Sequence, residues 1–188
     1  MFSITNKPAR VFLSSLAVIS ITAGLMSGCS KDEPKSAGVE LEIVPGVLPA
    51  VVKQIPLASV FSELLEASSL KATTSTTTKF TYFVPTDQAI GAYLSAKGMT
   101  KEALIADALQ LNTFVGDHIA SGELTATNLL NRTGESLTMV NGSSLVIGKS
   151  EESQVTLKNE GMVEATLIAI DVPATNGLLQ LVNTVLAP

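Results

Sequence analysis

The pattern of apolar residues predicts an α+β fold, and three observations carry the prediction. Leu57, Val60, Phe61, Leu64 and Leu65 recur at helical spacing, with Glu63 and Glu66 on the other side. Phe80-Thr81-Tyr82-Phe83-Val84 is a short aromatic and β-branched run, the signature of a strand. After Gly116 the helical period gives way to short runs separated by turn residues. Helices gather in the first half and strands in the second, the order of an α+β rather than an alternating α/β chain.

Each element follows from its residues. An amphipathic helix runs from Pro56 to about Leu70. The Thr and Ser run from Thr73 to Thr78 reads as a solvated loop. The strand at residues 79–84 ends at Pro85, which cannot extend a sheet ladder. Thr86 stands where a helix N-cap is wanted, and Asp87 favours the dipole of the first turn. That helix runs to about Ala96 and Gly98 closes it. Thr100 caps a second helix, predicted through about Leu109. Ser136–Val140 and Ser144–Gly148 read as strands around a two-residue Asn141-Gly142 turn. Gln154–Lys158 is a further strand, followed by a turn at residues 159–161. Met162–Val172 is a longer strand with apolar Val163, Ala165, Leu167 and Ala169 on one face. Leu178–Leu186 is apolar on both faces apart from Gln180, Asn183 and Thr184, and reads as a buried strand or a helix.

Composition narrows the function. The chain has 188 residues, 46% of them hydrophobic and 15% charged, enough for one domain with small additions. A single Cys excludes an internal disulfide and a multi-thiolate zinc site. A lone His, His118, cannot build a metal centre, so no metal and no cofactor are expected. Residues 1–28 hold Lys7 and Arg10 and no acid, which leaves ten basic residues against seventeen acidic ones in the remainder. An acidic domain without basic runs argues against nucleic acid as a partner.

The N-terminus reads as an address. Lys7 and Arg10 precede an apolar run from Val11 to about Leu25, as in a secretory signal peptide. Leu25-Met26-Ser27-Gly28-Cys29 resembles a bacterial lipobox, which makes residues 1–28 a lipoprotein signal peptide and Cys29 the lipidated residue. The polar residues 29–40 then form a flexible tether, and 41–188 the folded domain. Lys31-Asp32-Glu33 resembles the acidic export tag of some surface lipoproteins, or is a plain solvated linker. The expected location is the cell envelope, as an outer-membrane lipoprotein exposed at the surface, with the lipid anchor as its membrane contact.

Two stretches then stand out together. Residues 80–90 read FTYFVPTDQAI, and residues 171–188 read DVPATNGLLQLVNTVLAP. They resemble the first and second boxes of the fasciclin (FAS1) domain. FVGDHIASGEL, from Phe114 to Leu124, is similar to the family's central Tyr-His segment, and FSELLEASSL, from Phe61 to Leu70, to its opening helix. The resemblance implies a β-sandwich-like wedge flanked by several short helices, and a non-catalytic extracytoplasmic module for cell adhesion or for binding surface or matrix components. The Tyr of the family's Tyr-His pair is Asp117 here, and Gln180 stands where the family often has His. In some animal members the Tyr-His segment and an Asp-Ile pair ahead of the second box are assigned to integrin binding. Asp171-Val172 matches that pair in kind, but the missing Tyr argues against carrying integrin binding over.

The candidate residues follow. Pro85, Thr86 and Asp87, and Thr175, Asn176 and Gly177, are read as structural motifs, with Gly177 able to take positive φ. His118 is read as a partly buried ring bonded to backbone. With Asp117 beside it on a strand, the two side chains would point to opposite faces. Asp171 is read as an acid capping the Thr175-Asn176 turn, or as a partner contact. The expected contact segments for an unknown protein or glycan partner are Asp117-His118 and Asp171-Val172, on exposed loops. Aromatic residues make up only 4%, which argues against sugar stacking, and Tyr82 and Tyr93 are expected in or near the core. Asn131-Arg132-Thr133 and Asn141-Gly142-Ser143 match the N-glycosylation pattern by chance. Besides the adhesin, a periplasm-facing protein binding polysaccharide, lipid or an envelope protein fits the same residues. Nothing in the chain resembles a nucleophile elbow, so an enzyme is not expected.

Overall fold

A computed structural model describes residues 9–11, 41–43, 46–159, 161 and 163–188. Cys29, the tether and nearly all of the signal-peptide segment lie outside the described residues. Two short strands, β1 (Ala9–Val11) and β2 (Leu41–Ile43), pair antiparallel. The remaining strands are β3 (Phe80–Pro85), β4 (Ile119–Ser121), β5 (Ser136–Thr138), β6 (Ser144–Lys149), β7 (Val155–Lys158), β8 (Glu164–Ala174) and β9 (Gly177–Val182). They form one seven-stranded mixed sheet in the order β4-β3-β9-β8-β7-β6-β5. Only the β3–β9 pair is parallel. The sheet bends until its two edges meet, through a bridge between Ala120 and Met139 and a bond from Val140 N to Ile119 O of 2.8 Å. The fold is α+β, as the order of patterns predicts.

The bend divides the interior in two. Inside it, Phe83, Ala120 and Val182 face Leu137, Leu145, Ile147, Leu157 and Leu167 across one core. On the other side of β3 and β9, helices build the second core. These are α1 (Leu48–Val52), α2 (Ser59–Ala67), α3 (Leu70–Thr74), α4 (Asp87–Lys97), α5 (Lys101–Ala106) and α6 (Ala108–Gly116). Phe61, Leu64, Ile90, Leu104 and Phe114 from these helices meet Tyr82, Val84, Leu179 and Leu181. A short helix α7 (Ala126–Asn131) packs Ala126 and Leu129 into the core inside the bend. Strand β3 is buried on both faces, which explains its nearly continuous apolar sequence, broken only by Thr81.

Several boundaries differ from the sequence reading. The predicted helix from Pro56 to Leu70 is a 3₁₀ turn (Pro56–Ala58) followed by α2, and α3 begins at Leu70. The Thr run is not all solvated. Thr74 is fully buried at the end of α3, accepts from the Tyr82 hydroxyl and donates to Leu70 O at 2.8 Å. The helix after Thr100 stops at Ala106, because Asp107 turns out of the helix and caps α6 with bonds from Leu109 N and Gln110 N. The β5–β6 connection is residues 139–143 rather than two residues. The last strand ends at Val182. α1 and α7 are too short to show a helical period, and the sequence reading left them out. Thr86 and Gly98 bound α4 as expected, the first accepting from Ala89 N and the second at φ 63°. Among the described residues no helix is long and apolar enough to cross a membrane.

Candidate functional site

The sequence-predicted residues fall into three polar groups, each tying a helix end to the sheet. The first follows β3. Asp87 opens α4, but its carboxylate reaches α2, accepting from Ser59 Oγ at 2.6 Å and Val60 N at 2.8 Å. Ala58, at the N-cap of α2, offers no side-chain acceptor, so Asp87 caps that helix from 27 residues away. Pro85 pairs with Val182 at the end of the β3–β9 ladder, and Thr86 N continues it to Val182 O at 3.2 Å.

The second group opens β9. Asn176 is buried. Its Oδ1 accepts from Leu48 N at 2.8 Å, capping α1, whose own N-cap residue Val47 makes no such bond. Its Nδ2 donates to Thr74 O at 2.6 Å and Thr76 O at 3.0 Å, which fixes the end of α3. Thr175 is exposed, and its amide donates to Gly46 O. Gly177 has φ 148°, and a Cβ there would lie 1.8 Å from Phe80 O. Only glycine lets β9 approach β3 at this point.

The third group sits on β8 and β9. The β8–β9 register shifts between Leu167 and Val172, and Asp171 takes φ 57° within the irregularity. Its Oδ1 accepts from Ala126 N at 2.9 Å and from Gln180 Nε2 at 2.8 Å. Gln180, fully buried, also donates to Leu124 O and accepts from Asp171 N, both at 2.9 Å. The expectation that Asp171 caps the Thr175-Asn176 turn is therefore corrected: it accepts from the first amide of α7, whose N-cap residue is Thr125. Gln180 was detectable, because a polar residue inside an apolar strand run needs buried partners.

His118 and Asp117 close the loop between α6 and β4. They do not lie on a strand. Asp117 is the C-cap of α6 and β4 begins at Ile119. Their side chains still diverge. His118 is fully buried between Phe61 and Phe114, with ring centroids 5.6 and 4.9 Å away. Its Nε2 accepts from Leu186 N at 3.0 Å, and its Nδ1 lies 2.7 Å from Phe114 O. A backbone amide can only donate and a carbonyl can only accept, so the ring is neutral with its proton on Nδ1. Burial is the main cause that lowers its pKa from 6.5 to about 4. Asp117, 2% exposed, points toward the β5–β6 loop, where its Oδ1 accepts from Asn141 Nδ2 at 2.8 Å and Ser143 Oγ at 2.6 Å. Asn141 also donates to Thr113 O, and it packs so close that a Cβ on Gly116 would lie 2.7 Å from its own Cβ.

The expectation of exposed contacts is corrected by this burial. Asp117, His118 and Val172 are buried and Asp171 is half-buried, so these side chains do not stand out on exposed loops. Exposed apolar side chains lie elsewhere, at Leu57, at Leu109 on α6, at Val146 on β6 and at Ile168 and Ile170 on β8. Among the described residues no group of three His, Cys, Asp or Glu side chains is placed to hold a metal ion.

The model of the fasciclin domain matches residues 56–188. Human periostin is 31% identical over 201 residues, covering 96% of this chain and 23% of periostin. Human stabilin-1 is 30% identical over 136 residues, covering 68% of this chain and 5% of stabilin-1. The chain thus spans under a quarter of these relatives' lengths. A solved FAS1 domain pair from the insect cell adhesion molecule fasciclin I superposes with a TM-score of 0.68 at 19% identity, over 77% of this chain and 52% of that one. It shares the fold. With the family model spanning more than half of its residues, the chain belongs to the fasciclin family.

Proposed function

We propose that this chain is a non-catalytic, extracytoplasmic adhesion module that binds a protein partner at the cell surface. Lipid on Cys29 anchors it in the outer membrane, and residues 29–40 hold the domain clear of the bilayer. The observation that carries the reading is where the polar groups go. Asp87, His118, Asp171, Asn176 and Gln180 spend their hydrogen bonds inside the fold, and Asp117 does so through its Oδ1. Such a design spends polar side chains on holding a rigid surface, not on a reacting centre. Ile168 and Ile170, 44% and 50% exposed on the irregular part of β8, supply apolar contact area. The fasciclin I comparison supports adhesion in kind, since that protein is a cell adhesion molecule.

Protease shaving of intact cells that express the full chain tests the location. Loss of the domain without lysis supports the surface reading. Protection until the outer membrane is opened overturns it in favour of a periplasm-facing binding protein. Ile168→Asp with Ile170→Asp then tests the surface: attachment falls while thermal unfolding stays unchanged. Cys29→Ser shifts the protein from the membrane to the soluble fraction if the anchor is as read.

A further inference from the structure

Two clefts of about 310 Å³ each share Asp117 as part of their wall. One is lined by Tyr93 and Lys97 of α4, by Met99, and by Gln110 and Phe114 of α6. Asp117 Oδ1 already accepts two hydrogen bonds. Its Oδ2 is buried and has no hydrogen-bond partner among the described residues. A buried acceptor without a donor is costly, and it favours an occupant that brings N–H groups. Two further contacts show how charge is felt in this cleft. Lys97 Nζ lies 5.6 Å from the Tyr93 ring centroid, so the ring face already receives a positive charge. Burial first, and then the negative charge of Asp117, raise the Tyr93 pKa, so that charge is felt across the cleft.

We propose that the α4–α6 cleft binds an alkylguanidinium group, the arginine side chain of a protein partner. Its N–H groups donate to Asp117 Oδ2, its plane lies against Tyr93, and its alkyl stem runs along Met99 and Phe114. A planar guanidinium stacks on an aromatic ring and donates in the plane, which an ammonium does not. Asp117 attracts the ligand and Lys97 opposes it. Two substitutions therefore move affinity in opposite directions, a signature an apolar slot does not have. The site is separate from the β8 surface and needs only the folded chain, so its failure leaves the adhesion reading intact.

The test titrates n-propylguanidinium into the full chain and follows the backbone amides of Phe114 and Asp117 by NMR, with neutral n-propylurea as control. A saturable response to the cation alone is expected. Asp117→Asn weakens it by about fivefold or more, and Lys97→Ala tightens it by about twofold, the scale of exposed to partly buried charge pairs. No saturable response overturns the proposal, and is the result if a water serves Oδ2. Equal binding of n-propylurea also overturns it, as does an Asp117→Asn chain that folds and binds unchanged. Should Asp117→Asn not fold, Lys97→Ala decides: tighter binding supports the site, and unchanged or weaker binding overturns it.

Discussion

Lowering the pH should cost this domain about 3 kcal/mol of stability through His118 alone. The ring is fully buried and accepts a backbone N–H at Nε2, so protonating that nitrogen would set one N–H against another. Its pKa lies at about 4 in the folded chain against an ordinary 6.5. At about 1.4 kcal/mol per pH unit, that interval is worth about 3 kcal/mol. The sign follows from which state takes the proton. Above pH 6.5 the ring is neutral in both states, and the stability is fully present. As pH falls below 6.5 the unfolded chain gains a proton that the folded chain refuses, and stability declines. Near pH 4 the folded ring protonates as well, and the contribution levels off. Carboxylates titrate in the same range, so the comparison is with His118→Gln. Urea unfolding at intervals from pH 7.5 to 4 should show the two proteins converging by about 3 kcal/mol. Because the chain has one His, its ring proton signal can be followed directly by NMR and should stay in the neutral position down to about pH 5. A folded-state titration near 6.5, or a constant gap between the two unfolding series, refutes the reasoning.

Other substitutions probe the helix caps and the β9 entry. Gly177→Ala forces a Cβ to within 1.8 Å of Phe80 O, and should cost more than about 3 kcal/mol or abolish folding, as read by calorimetry. Asn176→Ala strips the cap of α1 and frees two carbonyls at and just beyond the end of α3, for a loss of about 2–4 kcal/mol in chemical denaturation. Asp171→Ala loses the acceptor for Ala126 N in the first turn of α7 and leaves Gln180 Nε2 with one partner fewer, about 1–3 kcal/mol. Asp171→Asn should cost less, since Asn keeps the acceptor and tolerates φ 57°. An equal loss for the two variants would show that the acceptor does not matter. Asp87→Ala should cost about 1–2 kcal/mol, and hydrogen exchange should show faster opening at Val60, which loses its acceptor.

What the sequence by itself determined are the features set within a few residues. The strand at Phe80–Pro85 and the helix behind it follow from an aromatic and β-branched run, from a proline and from a hydroxyl at the N-cap, and the structure places them within a residue. Gly177 is legible in the same way, as the residue that opens an apolar strand after a turn. The membership of these segments in one α+β domain is legible because each is locally consistent with the next. What only the tertiary structure decided is who answers each buried polar group. Asp171 meets Ala126 at a separation of 45 residues, His118 meets Leu186 at 68, and Asn176 meets Thr74 at 102. A side chain two or three bonds long reveals its need for a partner but not the direction in which the chain brings one. The local reading therefore assigned Asp171 to the nearest turn and left Thr74 in solvent, while the bent sheet delivered α7 to the first and Tyr82 to the second. Helices α1, α2 and α7 show the same division from the other side. They are five, nine and six residues long, too short to be stable alone, and each gives a first-turn N–H to a distant motif residue, in α7 alongside the local Thr125 cap. Their stability leans on the assembled fold, because these long-range hydrogen bonds come from the sheet side of the molecule or from another helix.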